Sequence, residues 1–108
     1  MNKILLIGWL ALAQRSYCSN AAETFKEYLP TINDCAAACE GEARYFVYGT
    51  SENSNSDCEN GCCNSDGCKC YCQNTGSEIC SQSPYNGYDL FAYSNQQEGK
   101  SNSNIIIV

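Results

Sequence analysis

The residues of this chain that could do chemistry are its cysteines: ten among 108 residues, at positions 18, 35, 39, 58, 62, 63, 68, 70, 72 and 80. There is no histidine, which removes Ser-His-Asp and Cys-His catalysis and every imidazole metal ligand. So many cysteines in so short a chain mark a disulfide scaffold matured in an oxidising compartment. A thiolate zinc site is the competing use of dense cysteines. An exported chain with enough aromatic residues for a packed core argues against it, and no metal or cofactor is expected.

Carboxylates come in close pairs, Glu40 with Glu42 and Asp57 with Glu59. Acid/base work on a glycoside would need such a pair in a deep cleft, which a small stapled chain is poorly able to build. Solvated surface charge is the simpler account, and no enzyme is expected. Oxygen-rich runs at 57–61 and 64–67 lack the ligand spacing of a calcium loop and read as turns.

Eight tyrosines are the remaining resource. Exposed tyrosine serves protein interfaces and stacks on sugar rings. Tyr71 is the leading candidate for a binding surface, with Tyr48, Tyr85, Tyr88 and Tyr93 as candidate companions. The opposing demand is a thin core that needs some of these rings as filling.

These side chains need elements to hold them. In an extended Cys68-Lys-Cys70-Tyr-Cys72 strand the three cysteines share one face, and Lys69 and Tyr71 share the other. Cysteines two apart on one strand bridge each other poorly, so their partners come from whatever packs on that face. Cys35-Ala-Ala-Ala-Cys39 is the obvious supplier, its cysteines one helical turn apart. Thr31 with Asp34 forms its cap and Gly41 its stop, giving a helix of about two turns that is marginal without covalent help. Residues 22–30 read as the approach to that helix. Tyr45-Phe-Val-Tyr48 is a strand that offers Tyr45 and Val47 to one face and Phe46 and Tyr48 to the other. Residues 88–93 alternate likewise, Tyr88, Leu90 and Ala92 against Asp89, Phe91 and Tyr93. Adjacent Cys62 and Cys63 diverge and should find different partners. Structural disulfides are expected at Cys35, Cys39, Cys58, Cys62, Cys63, Cys68, Cys70, Cys72 and Cys80.

Residues 1–21 read as a secretory signal, with Lys3 ahead of the apolar run Ile4–Ala13. Cleavage after Ala13 keeps an even number of cysteines; cleavage after Cys18 or Ala21 removes Cys18 and leaves one over. The folded domain is then 22–93. Residues 94–104 are low-complexity polar sequence that reads as a flexible tail, closed by Ile105-Ile106-Ile107-Val108. That tetrapeptide either docks on its own domain as an edge strand or adds a strand to a neighbouring subunit. A formal net charge of −6 repels phosphate backbones, so no nucleic-acid partner is expected. Neither apolar run is long enough to cross a bilayer, so no membrane insertion is expected.

The order of Cys35-Ala-Ala-Ala-Cys39, the aromatic strand Tyr45–Gly49, Cys68-Lys-Cys70 and the closing Gly87-Tyr-Asp-Leu-Phe91 resembles the PAN/apple family of extracellular modules over residues 30–93. The resemblance implies a small disulfide-rich α+β fold: one short helix on a curved antiparallel sheet, with helix cysteines bridged to the sheet. It also implies non-catalytic binding of protein or carbohydrate. Ala43 and Arg44 stand where the family often has a cysteine, and Cys58, Cys62, Cys63 and Cys72 are additions to its pattern. The expected function is therefore a secreted recognition module for an extracellular protein or glycan. The alternative is a self-associating subunit of an extracellular fibre or coat, joined through residues 105–108 or an inter-chain disulfide.

Overall fold

The computed structural model describes residues 8–50 and 61–94. Along the chain run β1 (Trp9–Ala13), β2 (Ser16–Cys18), β3 (Ala22–Leu29), α1 (Ile32–Cys39), β4 (Tyr45–Gly49), β5 (Cys63–Asn64), β6 (Gly67–Asn74), β7 (Gln82–Pro84) and β8 (Tyr88–Tyr93). The main sheet has the order β1-β8-β4-β6-β3, with β5 paired onto β6. β2 and β7 form a separate two-stranded ribbon. Every pairing is antiparallel. One helix on a mostly antiparallel, disulfide-rich sheet is a small α+β fold.

Helix α1 begins where its capping residues put it. Thr31 is extended, its hydroxyl accepts from the Asp34 amide at 3.1 Å and donates to the Asp34 carboxylate at 2.9 Å. Gly41 follows the last turn at φ +79°, where a side chain would be strained. Eight residues make a weak helix in isolation. Two disulfides hold it: Cys35–Cys70 and Cys39–Cys72 both join it to β6. Cys68, on the same face, pairs instead with Cys63 directly across the β5–β6 hairpin. Cys62 is disulfide-bonded as well, so the adjacent pair does diverge. Cys58 lies outside the described residues.

The sheet buries both faces. Beneath the helix, Phe46, Tyr48, Phe91 and Tyr93 pack with Ala36 and the two helix disulfides. On the opposite face Val47, Leu90 and Tyr88 pack with Cys62 and the Cys18–Cys80 disulfide, flanked by Tyr17, Tyr45, Tyr71 and Tyr85. The parities expected for β4, β6 and β8 hold in every strand.

Two segments differ from the sequence reading. Residues 22–29 are a full strand pairing with β6, not an approach to the helix. Residues 9–18, read as part of a removable leader, are built into the fold. Trp9 packs edge-on to Phe46 and Phe91 at 6.5 and 5.4 Å, and its Nε1 donates to Asn33 at 2.8 Å. Cys18 bonds Cys80, and its amide donates to the fully buried Gln73 side chain at 2.8 Å. A chain cut after Cys18 or Ala21 would lack β1, β2 and one disulfide; the strands of the described residues begin at Trp9, ahead of the boundary at residue 22. β8 supplies the pairing for this apolar run, and Trp9 alone of its residues packs against the aromatic core, while Leu10 and Leu12 stay exposed.

Candidate functional site

The face opposite the helix carries a continuous run of rings, and β3 begins it. Phe25 lies directly across from Tyr71 in the β3–β6 register. A bulge follows, between Phe25 and Glu27. In a regular strand residues three apart point to opposite faces. The extra residue Lys26 resets the phase, so Tyr28 joins Phe25 at 6.2 Å. Lys26 meets Glu42 at 2.8 Å beyond the helix, and the Lys69 ammonium stands 5.9 Å from the Tyr28 ring centre.

From Phe25 the run continues to Tyr71 at 5.0 Å, then to Tyr88 at 5.3 Å, Tyr85 at 4.7 Å and Tyr17 at 5.9 Å. None of these ring pairs lies in one plane, so the surface is a faceted ridge of ring faces and edges. Exposure falls along it. Phe25 is 47% exposed, Tyr71 is half-buried and Tyr88 is buried. Burial and a hydrogen bond with Tyr71 hold the Tyr88 phenol far above its ordinary pKa, so it stays neutral. Beside the ridge, Gln73 donates to the Glu23 carboxylate. That contact fixes the start of β3 against β6. At the other end the Tyr28 hydroxyl donates to Gly61 at 3.3 Å. Gly67 closes the hairpin so tightly that a Cβ there would sit 2.0 Å from the Leu29 carbonyl oxygen.

The five tyrosines expected to form one patch are thus divided. Tyr71, Tyr85 and Tyr88 belong to the ridge, with Tyr88 as its buried foundation. Tyr48 and Tyr93 belong to the helix side and are core residues. The Tyr48 hydroxyl donates to the Leu29 carbonyl at 2.6 Å, and burial raises its pKa against a lowering hydrogen bond from Cys68. Tyr93, 2% exposed, donates to the Ala36 carbonyl, and burial followed by the charges of Glu40 and Glu42 raises its pKa. Three ridge members, Phe25, Tyr28 and Tyr17, were not among the expected residues. Phe25 and Tyr28 carry the strand-favouring signal of aromatic type, but their spacing of three disguised it.

Other arrangements have simpler roles. The sulfurs of Cys35, Cys39 and Cys70 lie within 4.8 Å of one another, as a thiolate metal site would require. All three are spent in disulfides, and a disulfide sulfur is not a thiolate ligand. Asn64 turns its side-chain oxygen onto the Asp66 amide at 2.7 Å, an ordinary turn contact. Glu40 and Glu42 are exposed at the end of the helix. Asp57, Glu59 and Ile105–Val108 lie outside the described residues.

What the arrangement offers is an apolar, ring-faced surface with phenolic and ammonium groups along it, held by covalent bonds from behind. No family model, no curated protein and no solved structure matches this chain.

Proposed function

We propose that this protein is a non-catalytic recognition module of the extracellular space that binds protein or carbohydrate through the ridge Tyr28–Phe25–Tyr71–Tyr85. The observation that carries this reading is the pairing of Phe25 with Tyr71. A phenylalanine left 47% exposed on a small domain, and continuous with five further rings, has no core to fill. Rigid aromatic side chains bind at little entropic cost, because packing has already fixed them. Several disulfides, typical of extracellular proteins, support the location. A helix stapled to an antiparallel sheet through two cysteines supports the PAN/apple-like reading of the fold.

The test is a screen of glycans and extracellular proteins against the native chain, repeated with Tyr71→Ala and Phe25→Ala. The reading expects a ligand whose binding both variants weaken while their disulfides and circular dichroism stay native. A ligand indifferent to both changes moves the site off the ridge, and no ligand at all counts against recognition.

The fibre-subunit alternative loses one of its two supports. With Cys18 bonded to Cys80, no described cysteine is free to join chains.

A further inference from the structure

The main sheet has two edges, and they are built differently. β3 carries Glu23, Lys26 and Glu27 and is bent by its bulge, the usual guards against unwanted strand pairing. β1 is Trp-Leu-Ala-Leu-Ala, without a charge. Its inner edge pairs with β8, Leu10 and Leu12 are 43% and 37% exposed, and its single irregularity comes only after Ala11. Among the described residues nothing pairs with its outer edge. An open, apolar, uncharged edge is a template for one more strand.

The chain holds an apolar, β-branched segment of matching character within reach of that edge. Its described part ends beside the start of β1, where the Ser94 amide donates to the Gly8 carbonyl at 2.9 Å. Ten polar residues, 95–104, then lead to Ile105-Ile106-Ile107-Val108. A polar chain of that length has a root-mean-square span of about 16–19 Å. An added strand running antiparallel to β1 would start at the Ala13 end, about 17 Å along five residues and two strand spacings across from Ser94, a reach of about 20 Å. Linker span and required reach are comparable, close to the condition that maximises effective concentration. We propose that the outer edge of β1 receives Ile105–Val108 of the same chain as a sixth strand in line. This closes the unguarded edge from within and is independent of what the aromatic ridge binds.

Amide hydrogen exchange of residues 9–13 tests it, in the full chain, in a chain ending at Asn104 and in Ile106→Asp. The amides of β6 serve as the control for folding in all three. The expected result is slow exchange of the outward-pointing β1 amides in the full chain, unchanged on dilution, and loss of that protection in both variants. Equal exchange in the three chains overturns the proposal. Protection that fades on dilution, together with a sedimentation coefficient that rises with concentration, overturns it in favour of a second copy as the occupant.

Discussion

Phe25 and Tyr71 sit opposite each other on β3 and β6 with ring centres 5.0 Å apart, one open to solvent and the other half-covered by its neighbours. That inequality separates binding from folding. Phe25→Ala removes a ring that is about half covered, so stability should fall by only about 1 kcal/mol, roughly half of what full burial of such a ring contributes. Ligand affinity should fall at least about tenfold, equivalent to ~1.4 kcal/mol. Titration calorimetry beside a thermal melt separates the two effects.

The Cys18–Cys80 bridge spans 62 residues and Cys63–Cys68 only 5. If disulfides act by restricting the unfolded chain, the first contributes about 4 kcal/mol and the second about 2. Replacing each pair with serine should therefore lower the denaturation midpoint much more for Cys18/Cys80. Equal losses would show that native contacts, not chain closure, dominate here.

Intact-mass analysis of the protein isolated from its native source bears on the same bridge. A structure in which Trp9 and Cys18 are core partners expects residues 9–21 to be retained, with a Cys18–Cys80 linked peptide in the digest. A mass beginning at residue 22 would instead restore the leader reading.

Gln73 is fully buried and serves two segments at once, accepting from the Cys18 amide and donating to Glu23. Gln73→Leu keeps the volume but strands a buried amide. The cost should be about 1–3 kcal/mol, read by chemical denaturation, with β2 exchanging faster than β4.

Burial raises the phenol pKa of Tyr88 and Tyr93 above the unfolded value of about 10. The folded state therefore keeps protons that the unfolded state releases once the pH passes that value. The stability from these groups is complete below about pH 10 and lost as pH climbs beyond it. Brief alkaline titration should show part of the tyrosinate absorbance appearing only with unfolding. Smooth ionisation of all eight tyrosines near pH 10 would contradict their burial.

Local rules made much of this legible in advance. The cap at Thr31, the alternation of Tyr45–Tyr48 and the shared face of Cys70 and Cys72 all follow from spacing, and the structure has each of them. Alternation along β8 already placed Tyr88 and Tyr93 on opposite faces, so no single patch could contain both. What stayed hidden had two physical causes. The bulge at Lys26 gives Phe25 and Tyr28 a spacing of three on one face of a strand, which a periodicity of two cannot reveal. Trp9–Ala13 has the composition of an export signal, and only contacts with the distant β8 and Phe46 give it a place in the sheet.

The pairing of Gly8 with Ser94 has a mechanical consequence. Those two residues lie at one end of the antiparallel β1–β8 pair. A pull applied to both would load the hydrogen bonds singly, as a zipper, rather than together in shear. The sheet edge would yield at low force. Extension would then stop at Cys18–Cys80, where tension passes into a covalent bond and bypasses the chain between them. The helix and the three remaining described disulfides lie inside the bridge and would feel none of it, whereas Tyr17, Tyr85 and Tyr88 lie outside it and would be drawn out with their strands. The chain is extensible on either side of the bridge and inextensible within it, so stretching would dismantle the Tyr85–Tyr17 end of the ridge and leave Phe25, Tyr28 and Tyr71 in place.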